Sequence, residues 1–298
     1  MPDPQPPVVI IGNFDGVHTG HRAVIAEAAR YGPVVAITFC PHPLRVLRPE
    51  VAPLLISTDD ERRALLVEAG VSEVVELEFT REVSHWSPEE FVSRVILPLH
   101  PCRVVVGQNF RFGHKAAGDP ALMAEIGAGH FEVEVLPLRQ GVSSSLVREA
   151  LSRGDIEAAN QMLGRPYSYR QTVVRGHQRG RELGFPTANL PVTPERAAPA
   201  DGIYAGWLTR CDEPGSRLPA AISVGTNPTF DDVLETVVEA HVLDRTDLEL
   251  YGVAVAVEFV ERLRGNEKFD GLDALMAQIG RDVEAVRRRL AEPGSGRD

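Results

Sequence analysis

Residues 8–21 read VVIIGNFDGVHTGH. Four β-branched apolar residues run without a break into Gly12, and the apolar character then stops. A continuous run of this kind marks a strand covered on both faces rather than one with a wet side. Gly12 and Gly16 allow a tight turn and close approach of backbone to a ligand. A helix is expected to open at about residues 18–20, where its free N–H groups and dipole attract phosphate. His18 and His21 lie three apart, so both face one side of the first helical turn. Two imidazoles there suit a reaction in which negative charge builds on phosphoryl oxygens. The plainer alternative is a tight strand-to-helix turn with two structural histidines.

The same grammar continues outward. Apolar runs recur at residues 34–39, 74–79, 103–107 and 131–138, with helical patterns between them. The segment Ser87-Pro-Glu-Glu90 is a capping box with proline at the first helical position. Strand–helix repetition predicts an α/β unit, a doubly wound parallel sheet of Rossmann-like type, with ligands at the carboxyl ends of its strands. Two further clusters fall at such ends. One is GQNFRFGHK, residues 107–115, with Asn109 and the scarce Lys115. The other is GVSSSLVR, residues 141–148, where Ser144 opens a helix and Arg148 follows within its first turn. Each alone also reads as an ordinary surface loop or a simple cap. Helical patterns at 144–153 and 156–163, closed by Gly164, form a connector.

Beyond residue 165 the pattern changes. Strand-like runs at 170–175, 202–210, 218–225, 237–244 and 253–264 have no helix between them. They predict an antiparallel β-barrel. A terminal helix follows, with Leu272, Leu275, Met276, Ile279, Val283, Val286 and Leu290 along one stripe. We expect two domains, 1–165 and 166–298, and a disordered tail over 292–298. Residues 176–184 gather Gly176, Arg179, Gly180 and Gly184 into a cationic glycine-rich loop that could wrap phosphates. Thr187 and Asn189 alternate along an extended stretch, which suits a hard cation beside phosphates. Glu239 and His241 share one face of their strand, opposite Val238 and Ala240. Glu239 is a proton acceptor if it faces a barrel mouth, and a solvated strand residue if it does not.

Composition narrows the classes. The 298 residues carry a formal charge of −11. That charge is spread evenly, which argues against a nucleic-acid partner. Cys40, Cys102 and Cys211 form no CxxC pair, which fits a reducing compartment. The first residues lack the charged and apolar regions of a signal peptide, and no run has the roughly 20 apolar residues of a membrane span, so a cytoplasmic protein with no membrane partner is expected. The only lysines are Lys115 and Lys268, and neither follows glycine, which excludes a Walker A loop.

GNFDGVHTGH resembles the HxGH motif of adenylyl- and cytidylyltransferases, and VSSSLVR resembles their ISSTxxR motif. TFCPHP (residues 38–43) and GQNFRFGHKAAGD resemble the prokaryotic bifunctional riboflavin kinase/FAD synthetases. GxxRGxxLGFPTANL, DGIYA, SVGTNPTF and VVEAHVLD resemble the riboflavin kinase module of that family, in the same order. The likeness spans roughly residues 8–290. It implies two reactions on small-molecule substrates: riboflavin and ATP give FMN in the barrel, and FMN and a second ATP give FAD in the sheet unit. By motif match Glu239 would be the kinase base, Thr187 and Asn189 would hold Mg²⁺, and residues 176–184 would cover the ATP phosphates. His18 and His21 would stabilise charge during AMP transfer. Gly12, Asn13, Phe14, Asp15, Ser144 and Arg148 would form the ATP site, with Asn109 near the nucleotide or the flavin phosphate. Cys40 stands where the family more often has an acidic residue. The alternatives are a protein retaining one of the two activities, or a flavin-sensing regulator without turnover.

Overall fold

A computed structural model describes residues 5–176, 184–213, 215–228 and 234–291. Contacts divide the chain into two compact units, the division falling between Ser144 and Ser145. In the first unit, strands β1 (Val8–Ile11), β2 (Val34–Cys40), β3 (Glu73–Glu78), β4 (Arg103–Gly107) and β5 (Glu132–Leu136) make one sheet. Every pairing is parallel and the order is β3-β2-β1-β4-β5. Helices α1 (Thr19–Ala28), α2 (Pro43–Leu47), α3 (Asp59–Glu68), α4 (Pro88–Phe91) and α5 (Pro120–Ile126) lie between the strands.

The continuous apolar runs are explained by two cores. Val9, Ile11, Val35, Ile37, Val104 and Val106 face a cluster with Phe91 and Met123 from α4 and α5. Val8, Ile10, Val34, Ala36 and Val105 face the opposite cluster, with Ile25 and Leu66 from α1 and α3. Alternate residues of β1, β2 and β4 are thus buried on opposite faces, at about 2 kcal/mol per fully buried side chain. The expected capping box is present: Ser87 Oγ accepts from Glu90 N–H at 3.2 Å, and Glu90 accepts from Ser87 N–H at 3.0 Å.

The second unit begins with α6 (Ser144–Arg153), whose first residue still groups with the sheet, and α7 (Ile156–Leu163). Asn160 fastens α7 to the strands beyond, donating to Phe259 O at 2.8 Å and accepting from Tyr167 N–H at 2.7 Å. The contacts therefore group both connector helices with the barrel, earlier than the sequence-based boundary at 165.

Six strands follow: β6 (Tyr167–Thr172), β7 (Ala188–Pro191), β8 (Gly202–Arg210), β9 (Arg217–Pro228), β10 (Leu234–Val242) and β11 (Ala254–Arg264). Their order is β6-β11-β8-β9-β10-β7, all antiparallel. An isolated bridge between Val174 and Asn189 draws the two ends together, so the barrel is nearly closed. β6 begins three residues before the expected strand, because the buried Tyr167 and Tyr169 supply its inward face. β7 is the extended stretch expected at Thr187 and Asn189. Helix α8 (Leu272–Ala291) closes the fold. Its Val286 is buried, with Val283 and Leu290 beside it, on Ala205 and Leu243. Leu272, expected on the same stripe, is 56 % exposed, because packing is concentrated toward the helix's C-terminal half. The expected tail lies outside the described residues.

Candidate active sites

β1 is flanked by β2, on the side leading to β3, and by β4, on the side leading to β5. The strand order therefore reverses between β1 and β4, and a parallel sheet opens its ligand crevice at such a point. The turn after β1 fills that position. His18 is the N-cap of α1, and its Nδ1 accepts the His21 N–H at 3.3 Å. Its proton therefore sits on Nε2 when the ring is neutral. The two imidazoles stack with centroids 3.6 Å apart and planes 13° from parallel. The Phe14 ring meets His21 edge-on at 5.2 Å. Burial, and secondarily the His18 charge, hold the His21 pKa well below 6.5. His21 Nδ1 is buried with no protein partner, which leaves it a polar atom for a ligand.

The backbone of this turn is strained. Phe14 and Val17 have φ of 48° and 39°, values that non-glycine residues adopt at a cost of about 1–3 kcal/mol. A Cβ on Gly12 would come within 3.2 Å of the Phe14 ring. Neighbouring segments hold the turn. Thr38 Oγ1 donates to Asn13 O at 3.3 Å, and the Asn13 amide lies 3.3 Å from His42 Nε2. Ser144 Oγ donates to Asp15 O at 2.9 Å. Asp15 is 1 % exposed, and its carboxylate faces the protein, accepting from Ile56 N–H and Ser57 N–H at 3.0 Å. Asn109 is exposed just beyond β4, its Oδ1 packed over Gly107. Arg148 lies on α6, one turn beyond Ser144, and groups with the second unit.

Cys40 ends β2, and its thiol donates to Asp59 Oδ2 at 2.9 Å. That bond, with burial, pushes the thiol pKa up to about 11. Asp59 also pairs with the buried Arg62 at 2.7 Å, and Arg62 donates to Phe39 O. An acidic side chain at residue 40 would face the Asp59 carboxylate, whereas the thiol supplies a donor.

In the barrel, Glu239 of β10 stands directly opposite Asn189 of β7 on one side and Ser223 of β9 on the other. Opposed residues share a face with Cβ atoms about 4.5–5.5 Å apart. Asn189 Nδ2 donates to Thr187 Oγ1 at 3.3 Å. One face therefore carries the Thr187 hydroxyl, the Asn189 amide and the Glu239 carboxylate. His241, two residues from Glu239, donates from Nδ1 to Pro186 O at 2.9 Å and meets the Phe185 ring edge-on, seating this segment against β10. Gly176 is required by space, since a Cβ there would lie 2.3 Å from Asn189 Oδ1. Gly184 has φ of 83°. Arg179 and Gly180 lie outside the described residues.

A cleft next to Gly176, Thr187 and Asn189 is walled by Val173, Val242, Leu248, Leu250 and Tyr251. No motif pointed to residues 248–251; their only signal is apolar character in a polar stretch. The hydroxyl and amide oxygens of Thr187 and Asn189 fit a hard cation that takes most of its ligands from phosphates and water. Among the described residues, no group of three or more His, Cys, Asp or Glu side chains could hold a metal alone.

The buried, unpartnered Nδ1 of His21 at the sheet's switch point, and the Glu239 carboxylate facing a hydroxyl–amide pair on the barrel, are polar groups of the kind that phosphate-transferring enzymes present to their substrates. Residues 1–147 match the FAD synthetase family, and residues 163–290 match the riboflavin kinase family. The Listeria monocytogenes bifunctional riboflavin kinase/FMN adenylyltransferase is 33 % identical, over 96 % of this chain and 93 % of its own length. The Escherichia coli protein of that name is 34 % identical over 94 % and 91 %. The chain belongs to this bifunctional family. A crystal structure from Streptococcus pneumoniae named a macrolide-efflux protein shares the fold, with TM-score 0.84 and 31 % identity over 96 % of this chain and 95 % of that one. No helix among the described residues is long and apolar enough to cross a membrane.

Proposed function

We propose that the barrel phosphorylates riboflavin with ATP to give FMN, and that the sheet unit joins FMN to AMP from a second ATP to give FAD. Family membership across nearly the whole chain supports both activities. The residue assignment rests on one observation above others: Glu239 paired across the strand from Asn189, with Thr187 bonded to that amide. In this reading residues 1–165 carry the adenylyltransferase and 166–298 the kinase.

In the kinase, the ribityl 5′-oxygen bonds to the γ-phosphorus of ATP as the bridging bond to ADP breaks. Glu239 takes the hydroxyl proton. Thr187 and Asn189 hold Mg²⁺, which when bound neutralises charge on the ATP phosphates. Gly176 and Gly184 flank the phosphate path, Arg179 and Gly180 are assigned to it by motif alone, and the cleft beside Asn189, part apolar and part polar with Arg245 and Thr246, suits a purine.

In the adenylyltransferase no protein nucleophile is needed. An oxygen of the FMN phosphate bonds to the α-phosphorus of ATP, and pyrophosphate leaves. His18 offers Nε2–H, and His21 offers its unpartnered Nδ1 edge, where charge develops. Gly12, Asn13, Phe14, Asn109 and Ser144 complete the site, Asp15 serves through the shape of the turn, and Arg148 is assigned to ATP by motif alone. The protein works in the cytoplasm on small molecules, with neither nucleic acid nor membrane as partner. The test is a chromatographic time course with riboflavin, ATP and Mg²⁺. FMN should rise first and FAD should follow. FMN accumulating without FAD would remove the adenylyl activity, and tight flavin binding without turnover would favour a sensor.

A further inference from the structure

The turn that carries His18 and His21 is not self-supporting, and one residue remote in sequence carries much of the support. Ser57 is 2 % exposed and belongs to no motif that marked either site. Its Oγ accepts from Gly16 N–H at 3.0 Å and donates to Asp15 Oδ1 at 3.2 Å. Its own N–H donates to the same carboxylate oxygen at 3.0 Å, and Ile56 N–H donates to both oxygens at 3.0 and 3.1 Å. Ile56 also packs on Gly16, whose φ of 78° leaves no room for a side chain: a Cβ there would sit 2.8 Å from Ile56 Cγ2. Asp15 passes the constraint onward, because its carbonyl accepts Ser144 Oγ. The hydroxyl of Ser57 thus touches both residues 15 and 16, two to three positions before the His18 cap.

We infer that Ser57 is a positioning residue for AMP transfer: with Ile56 it forms a shelf that fixes Asp15 and Gly16, and through them the paired imidazoles. The geometry it enforces has a cost. Phe14 and Val17, on either side of the clamped dipeptide, hold positive φ values that a free turn would relax. A buried hydroxyl that donates and accepts at once fixes position along two directions, which a packing contact does not. Released, the turn shifts His18 and His21 relative to the α-phosphorus, and small misplacements of aligned groups are expensive in rate. The inference rests on the adenylyltransferase reading of the sheet unit.

The test uses the full chain and separates the two activities in one molecule. Ser57→Ala should lower kcat for FAD formation from FMN and ATP by about 10- to 100-fold. KM for both substrates should change far less than kcat, since Asn13 is still held by Thr38 and His42 while the imidazoles lose their alignment. Formation of FMN from riboflavin should be unchanged, which also shows that the chain is folded. Ser57→Thr, which keeps the hydroxyl, should recover most of the lost rate. Gly16→Ala, which pushes a methyl group into Ile56, should reproduce the kcat loss from the other side of the clamp. A role confined to stability predicts a lower unfolding temperature with kcat per folded molecule unaltered, and that result would overturn the inference. So would Ser57→Thr failing to restore rate while Gly16→Ala retains it. If His21→Ala also leaves FAD synthesis intact, the adenylyl reading itself is wrong. If His21→Ala abolishes it while Ser57→Ala does not, only the role of Ser57 falls.

Discussion

His21 lies between the face of the His18 imidazole and the edge of Phe14, and its depressed pKa has two measurable results. The unfolded chain takes up a proton there near pH 6.5, and the native chain does so only at much lower pH. The native state therefore loses stability as pH falls below about 6.5. The urea midpoint of the first unit should drop between pH 7 and 5.5, and should drop less in His21→Ala. That variant should also lose about 10²- to 10³-fold in FAD synthesis while FMN synthesis persists. Cys40 behaves oppositely to a reactive thiol. Held protonated beside Asp59 to about pH 11, it should alkylate slowly at pH 8, with a rate that climbs through pH 10. Measured rates already level at pH 8 would show the thiol free of Asp59. The position of Cys40 in its motif was legible from sequence, but its use as a donor was not, because Asp59 lies on another element.

Elements were read best where the signal was local. The bounds of α6 and α7 follow from periodicity and Gly164, and the capping box at Ser87 was visible in four letters. β7 was legible only as an extended stretch, because Ala188–Pro191 is four residues long and follows a glycine-rich loop, so it has no periodicity of its own. Its pairing partner, β10, lies some fifty residues on and supplies the reason it is a strand. The clamp of Ser57 on Asp15 was hidden for the same reason: hydrogen bonds between loops leave no spacing to read. α8 is amphipathic in sequence, yet it is anchored as much by charge as by its stripe. Arg264 Nε and a terminal guanidinium nitrogen bond Asp282 at 3.0 and 2.6 Å, and Gln278 donates to the same carboxylate. Asp282 is buried, so Asp282→Ala should cost about 3 kcal/mol by leaving Arg264 uncompensated. Thermal unfolding of the second unit should fall by several degrees; an unchanged midpoint would mean the helix is held by Val286 and its neighbours alone.

For the whole molecule, the two phosphate-handling faces share no residue, so their chemistry should separate. Glu239→Gln should reduce FMN formation by about 10²- to 10⁴-fold, the usual scale for a general base. The same variant should convert supplied FMN to FAD at the normal rate, as read by chromatography. Loss of both activities in a folded chain would mean the faces are not independent. Organisation at this scale was the most legible part, because strand–helix alternation and its replacement by strands alone are long-range patterns that single residues cannot obscure. Asn189, finally, does two things at once: it faces Glu239, and through its bridge to Val174 it sits where the barrel's first and last strands meet. A nucleotide that grips this amide also stitches the open seam of the sheet, so the kinase half should resist heat and protease better when loaded than when empty.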